Sequence, residues 1–231
     1  MFVRNAMLFA AGLGTRLLPL TAHTPKPLVH VGGKPLLDYT LERFLAYGTE
    51  RVVVNTHHLA AQVAAHVGTL GGAARARIQL SHEPVLLETG GGILQALGWL
   101  GTEPFFSANS DAFWLDGRVP ALERLALAFD PARMDALLLL VDPARAIGFS
   151  GPGDFDLTDT GQITRARRRL VYSGLQLLHP RLFDGYLPAA GEPRAFSLKE
   201  IWARAQQPDG SLPRLYGLVH DDHWVHVGTP Q

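Results

Sequence analysis

Short apolar runs alternate with amphipathic stretches through the first 141 residues. Ala6–Ala11, Arg51–Asn55, Arg77–Ser81, Pro104–Ala108 and Asp135–Val141 have strand length, and several are apolar almost without a break. Such runs suit strands covered on both faces. Between them, Leu36–Tyr47, Leu59–Val67, Gly92–Leu100 and Val119–Phe129 carry apolar residues at helical spacing. Gly48 follows the first of these as a C-cap. The alternation predicts an α/β fold, with a mainly parallel sheet and helices on both faces.

The pattern changes after Val141. Asp142–Arg169 is rich in Gly, Pro, Asp and Arg. Phe155–Leu157 and Gln162–Thr164 flank the turn Thr158-Asp159-Thr160-Gly161 and predict a hairpin. Leu170–Leu178, Arg214–His220 and Trp224–Val227 read as strands and Ser197–Ala205 as a helix. There is no internal repeat. Residues 1–231 read as one domain with two halves, about 1–141 and about 142–231. In an open sheet of this kind the cleft lies at the carboxyl ends of the strands.

Composition narrows the function classes. The 231 residues are 47% hydrophobic and carry a formal net charge of +0, with no cysteine. A nucleic-acid partner is not expected, because its reader would carry a basic face. Disulfides, thiolate metal sites and cysteine nucleophiles are excluded. Apolar runs such as Ala136–Val141 are too short to span a bilayer. No membrane association is expected, and a cytoplasmic protein is the default.

The chemistry concentrates near the N-terminus. The first apolar run empties into Gly12-Leu13-Gly14-Thr15-Arg16, and Pro25-Lys26-Pro27 follows. Glycines let backbone N–H groups approach phosphate oxygens. An arginine fork and a lysine point charge add positive charge that two turns can aim at one place. The loop is not the dinucleotide fingerprint, since Leu17 stands where its third glycine would be. Nor is it a Walker loop. Each proline fixes its own φ, and Pro27 biases Lys26 away from helix.

The stretch FAAGLGTRLLPLTAHTPKPLVHVGGKPL resembles, nearly position for position, the signature of sugar-1-phosphate nucleotidyltransferases. The resemblance extends over almost the whole chain. It implies a Rossmann-like three-layer α/β/α fold of the glycosyltransferase A type, with a mixed, mainly parallel central sheet. It makes the first half the nucleotide-binding half and the second the sugar-binding half. It implies catalytic roles for Arg16, Lys26 and Asp111, and phosphate contacts from Ala11, Gly12, Gly14 and Thr15. Glu83 and the stretch Thr89-Gly90-Gly91-Gly92 would face the base. Asn109-Ser110-Asp111 ends a strand, where Asp111 would hold Mg²⁺ and Asn109 the ribose or metal shell. The run Glu88-Thr89-Gly90-Gly91-Gly92 looks most like the N-acetylmuramate-1-phosphate uridylyltransferase branch.

In the second half, Gly153, Asp154, Ser173 and Gly174 match the family's sugar-contacting loops. The family's Glu-Lys-Pro, whose lysine holds the sugar phosphate, is missing. Arg165, Arg167, Arg168, Arg169 and Lys199 are the candidates in its place. Trp224-Val225-His226-Val227-Gly228-Thr229-Pro230 resembles W-x-D-V-G-T-P, with His226 where the family has a metal-binding Asp. Imidazole suits softer metals than Mg²⁺, so His226 points to Mn²⁺ or to a contact with the sugar phosphate. Asp222 lies about 13 Å away along an extended strand. Family members continue beyond the position of Gln231 into a final helix. Asn55-Thr56-His57-His58 is left out of the site, with Thr56 a cap for the next helix.

The reaction implied joins a nucleoside triphosphate, UTP in this branch, to a sugar 1-phosphate and releases pyrophosphate. N-acetylmuramate 1-phosphate in cell-wall recycling is the first reading. A guanylyltransferase for mannose- or heptose-1-phosphate is the second, and a non-catalytic nucleotide-sugar-binding regulatory subunit the third. The oligomeric state stays open, with a homodimer one option.

Overall fold

The computed structural model describes residues 1–186, 194–204 and 214–228. Thr229 and Pro230 of the family-like motif and the Ala205 end of the predicted helix lie outside the described residues. The first half builds β1 (Asn5–Phe9), the hairpin β2 (His30–Val31) and β3 (Lys34–Pro35), α1 (Leu36–Tyr47), β4 (Arg51–Thr56), α2 (Ala60–Gly68), the one-turn α3 (Gly72–Arg75), β5 (Ile78–His82), α4 (Glu88–Leu100), β6 (Phe105–Asn109), β7 (Ala112–Trp114), α5 (Ala121–Ala128) and β8 (Ala136–Val141). The second builds β9 (Ala146–Ile147), the hairpin β10 (Asp156–Leu157) and β11 (Ile163–Thr164), β12 (Val171–Leu178), α6 (Leu198–Arg204), β13 (Leu215–Val219) and β14 (Trp224–His226).

Seven strands form one sheet in the order β13-β8-β12-β6-β1-β4-β5. β1 pairs in parallel with β4 and β6, β4 with β5, and β8 with β13. Only β12 runs antiparallel, against both β6 and β8. The fold is therefore Rossmann-like α/β with a mixed, mainly parallel sheet. β12, from the second half of the chain, lies between two strands of the first, so both halves build one sheet.

Alternate residues of the central strands enter two apolar layers. Leu8, Val52, Val54, Leu137 and Leu139 pack on one face with Leu37, Leu41 and Phe44 of α1, Val63 of α2 and Leu125 of α5. Met7, Val53, Leu138 and Leu140 pack on the other with Ile93 and Ala96 of α4 and Ile201 and Trp202 of α6. Burial on both faces is why these runs show no polar alternation. Each fully buried large aliphatic side chain contributes about 1.5–3 kcal/mol.

The structure departs from the sequence pattern in four places. α4 begins at Glu88 rather than Gly92, so the glycine run lies inside the helix. Thr56 ends β4 and does not cap α2; Leu59 does, in the left-handed region at φ 52° with no side-chain bond. Lys26 opens a short 3-10 turn, Lys26–Leu28, which Pro27 tolerates at its second position. Of the small sheet β7-β14-β9, only β14 was legible, as the strand Trp224–Val227. It matters for the site, because β14 pairs His226 with Ala112, beside Asp111. The Val227 N–H donates to the Asp111 carbonyl at 2.9 Å.

Candidate active site

Three parallel strands deliver the site. The chain leaving β1 (Ala10, Ala11, Gly12), Asn55 in β4 and Asn109 at the end of β6 wall a cavity of about 350 Å³. Leu86, Glu88 and Thr89 at the start of α4 and Ser197 before α6 form other parts of the wall. Carboxyl ends of adjacent parallel strands are where such sheets bind ligands.

Lys26 and Asp111 meet in this cavity. Lys26 Nζ donates to Asp111 Oδ2 at 2.6 Å, with the two side chains only 11% and 22% exposed. The lysine is held stiffly. Gly14 sits at φ 67°, where a Cβ would lie 3.0 Å from both Lys26 Cβ and Thr21 Cγ2. The Thr21 hydroxyl donates to the Gly14 carbonyl at 2.8 Å. Leu17, in place of a third glycine, is buried in the core. Thr15 and Arg16 begin the short turn Thr15–Leu17. Arg16 is exposed and makes no ion pair among the described residues. It borders a second cavity, of about 160 Å³, with Asn109, Asp111, Asp154, Gly174 and His226. Asn109 and Asp111 wall both cavities, so Arg16 borders the cavity next to the one in which Lys26 and Asp111 pair.

Several expected contacts take a different form. Glu83 does not face the cavity; it is fully buried. Its Oε1 accepts from Asn55 Nδ2 at 2.7 Å and its Oε2 from the Leu87 N–H at 2.9 Å. Asn55 Oδ1 in turn accepts from the Ala10 N–H at 2.8 Å. This chain of bonds ties the ends of β1, β4 and β5 to the loop before α4. Burial raises the Glu83 pKa against the lowering effect of these bonds. Gly90 and Gly91 do not open to a base either. Both amides donate to the Phe196 carbonyl, and a Cβ on Gly91 would lie 2.2 Å from the Arg194 carbonyl oxygen. The glycine run lets the 194–197 segment lie directly on α4. Thr89 reaches the cavity wall, and its Oγ1 accepts from the Leu198 N–H at 3.0 Å.

In the second half, Ser173 and Gly174 form a bulge in β12, where the register with β8 shifts. Gly174 has φ 88°, and a Cβ there would press on the Asn109 amide at 3.0 Å. The Ser173 hydroxyl is buried and accepts from the Leu175 N–H at 3.1 Å, and the residue lines the second cavity beside Gly174. Gly153 is also buried, against the Arg168 carbonyl. Asp154 lies in the wall of the Asp111 cavity, with Oδ2 accepting from the Tyr172 N–H at 2.9 Å. Asp222 hydrogen-bonds His223 and does not line this cavity.

His226 stacks on Trp224 with ring centres 5.4 Å apart. Burial lowers its pKa; Asp111 opposes that, and Lys26 and Arg16 add to it. The balance favours the neutral imidazole. Among the described residues, no three carboxylate or imidazole groups form a protein-only metal cage. Mg²⁺ habitually uses one or two carboxylates with substrate phosphates and water. Asp111, with Asp154 and the Asn109 amide on the same cavity, fits that habit, and its neutral imidazole neighbour leaves the oxygen donors in charge.

A family model for nucleotidyl transferases matches residues 5–145. The chain belongs to the nucleotidyl transferase family. It is 41% identical over 236 residues to an N-acetylmuramate alpha-1-phosphate uridylyltransferase of Caulobacter vibrioides, covering 98% of this chain and 92% of that one. It is 34% identical to the protein of the same name from Neisseria meningitidis, over 97% and 93% of the two chains. The fold matches HddC from Yersinia pseudotuberculosis complexed with GMP-PN, at TM-score 0.74 and 21% identity over 99% and 95% of the chains. It also matches a UDP-glucose pyrophosphorylase complexed with UDP-glucose, at TM-score 0.75 and 18% identity over 98% and 94%.

Within this nucleotidyl transferase, Asn55 and Ser197 are polar residues of the first cavity that sequence reasoning missed. Asn55 stands at the carboxyl end of β4, and that place is itself a signal. Ser197 gave none, since it reaches the first cavity from the far side of the chain.

Proposed function

We propose that this nucleotidyltransferase moves a uridylyl group from UTP to N-acetylmuramate 1-phosphate. The observation that carries the reading is the Lys26–Asp111 pair, with Arg16 beside it, at the meeting of two cavities. The two N-acetylmuramate relatives, alike over nearly their whole length, support the choice of substrate. The first cavity takes the nucleotide, against Gly12, Asn55 and Thr89. The second takes the sugar phosphate, against Asp154 and Gly174.

The anionic sugar-phosphate oxygen attacks the α-phosphorus, the bond to the β-phosphate oxygen breaks, and pyrophosphate leaves. No protein nucleophile is needed, so the protein positions the groups and stabilises charge. Lys26 lies against the α-phosphate, and Arg16 with the Gly12–Thr15 loop holds the departing phosphates. Mg²⁺, held by Asp111, would neutralise charge on the phosphate oxygens. Asp111, which already accepts from the Lys26 ammonium, would hold that cation with the Asn109 amide and Asp154 on the same cavity. His226 packs the small sheet against this point. Such an enzyme works in the cytoplasm, in the recycling of cell-wall sugars.

A guanylyltransferase is the second reading. A mannose-1-phosphate guanylyltransferase of Mycobacterium tuberculosis is 30% identical over 98% of this chain and 62% of that one. Pyrophosphate release, measured with UTP and GTP against N-acetylmuramate, mannose and heptose 1-phosphates, separates the two. Turnover with UTP and the muramate substrate is expected. Turnover with GTP and mannose 1-phosphate alone would replace the first reading by the second.

A further inference from the structure

Gly90 and Gly91 seat the 194–197 segment on α4, but Gly92 has different neighbours. A Cβ there would lie 2.8 Å from Glu83 Oε1 and 3.0 Å from Asn55 Nδ2. The last glycine of the run therefore makes room for the Glu83–Asn55 hydrogen bond. Asn55 borders the first cavity, and Glu83 is buried behind it.

That bond is the middle of a chain. The Ala10 N–H donates to Asn55 Oδ1, and Asn55 Nδ2 donates to Glu83 Oε1. The Leu87 N–H donates to Glu83 Oε2, and the Phe196 N–H donates to the Leu87 carbonyl. The chain starts at the end of β1 and finishes just before α6. Cavity residues stand on it or beside it: Ala10 and Asn55 at one end, Leu86, Glu88 and Ser197 at the other. Glu83 is the link that accepts on both sides. Its backbone is fixed as well. Its N–H donates to the Thr56 carbonyl at 2.8 Å, and its own carbonyl lies 2.8 Å from His57 Nδ1.

The loop held by this chain is strained. Glu88, in the cavity wall, sits in the left-handed region at φ 58°, a conformation that surrounding structure must hold. The Leu87 bond to Glu83 comes directly before it, and the Gly90 bond to the Phe196 carbonyl soon after. Arg165, Arg168 and Lys199 border a different cavity, with Asp154 and Tyr172, which shares no residue with the first.

We propose that Glu83 is a positioning residue for the nucleotide: its two accepting oxygens set the end of β1 against the Leu86–Thr89 loop, and so fix the shape of the first cavity. The proposal rests on the reading of that cavity as the nucleotide's. It assigns Glu83 to nucleotide affinity without contact with the nucleotide.

Reversing the polarity of the chain tests it. Glutamine matches glutamate in shape but accepts on one side only, so Glu83→Gln leaves either Asn55 Nδ2 or the Leu87 N–H without an acceptor. With the wall correctly set in about a tenth of the molecules, the apparent Kd for UTP rises about tenfold. Calorimetry on the full chain, with UTP and Mg²⁺ and no sugar, reads that change. In turnover the KM for UTP should rise with it, while kcat and the KM for the sugar 1-phosphate move less than about threefold. Asn55→Asp added to Glu83→Gln restores the chain: the carboxylate at 55 accepts from the Ala10 N–H and the new amide, and the glutamine oxygen accepts from Leu87. The double variant should bind UTP to within about threefold of the unaltered protein. Asn55→Asp alone sets two carboxylates against each other and should weaken binding. Gly92→Ala presses on the same bond without changing a cavity residue and should weaken binding too. It and the double variant decide the matter should Glu83→Gln fail to fold. Unchanged UTP affinity in Glu83→Gln or Gly92→Ala, an equal loss in kcat and both KM values, or a double variant no better than the single one overturns the proposal. A protein that binds GTP and not UTP sinks the uridylyl reading, and the same comparisons with GTP then decide the role of Glu83. Binding of neither nucleotide overturns both.

Discussion

His226 is the residue where this chain departs most from the resembled family, and its surroundings give the departure a testable form. A neutral imidazole stacked on Trp224 borders the Asp111 cavity. His226→Asp adds a third carboxylate beside Asp111 and Asp154, and Mg²⁺ favours oxygen donors. The concentration of Mg²⁺ giving half-maximal pyrophosphate release should fall several-fold; no change would place residue 226 out of reach of the metal. Glu83 carries a different expectation. Its pKa is raised, so the folded state holds the proton more tightly than the unfolded chain. Its contribution is fully present below the ordinary value of 4.5 and is lost as pH rises through the raised one. Glu83→Gln removes that slope, and thermal melts between pH 4 and 7 should show a flatter dependence of Tm on pH than in the unaltered protein.

At the scale of elements, the glycine run in α4 is a packing surface for the 194–197 segment. Gly91→Ala drives a Cβ toward a backbone carbonyl that cannot swing aside. Overpacking of this kind costs about 1–3 kcal/mol, so Tm should fall by several degrees, and an unchanged Tm would mean the segment moves freely. The basic loop responds to acid for a separate reason. The Arg169 guanidinium and three backbone N–H groups hold the Asp156 carboxyl down at about 2 from the usual 3.8. Its stabilisation is present above the ordinary carboxylate range and is lost as pH falls through about 2. Asp156→Asn should therefore loosen residues 165–169 at neutral pH, seen as faster amide exchange there with exchange in β1 and β4 unchanged.

The elements were largely legible because periodicity reports burial. The apolar runs of β1, β4 and β8 and the spacing of α1 needed no tertiary knowledge, and Gly48 marked the end of α1. β7 and β9 were not legible, because a partner far along the chain, β14, defines them, whereas the β10–β11 hairpin and β14 itself were. The same division holds at the site. Lys26 and Asp111 stood out through prolines and a strand end. The glycines at 90 and 91 misled, since conformational freedom in the chain does not say whether a ligand or another segment will use it.

At the scale of the whole molecule, both halves contribute strands to one sheet, and the site forms where they meet. Leu138 in β8 lies at the centre of one apolar layer, between β12 and β13. Leu138→Ala should cost about 2–5 kcal/mol and lower the urea midpoint in one cooperative step. Two separate steps would show that the halves fold as independent units. The central claim is that Arg16, Lys26 and Asp111 act on one anion in one place. Its most direct test is steady-state pyrophosphate release by Lys26→Ala with UTP and N-acetylmuramate 1-phosphate at saturation. A fall in kcat of about 10²–10³-fold is expected, with Tm within a few degrees of the unaltered protein. Near-normal turnover by a folded Lys26→Ala enzyme would contradict the account.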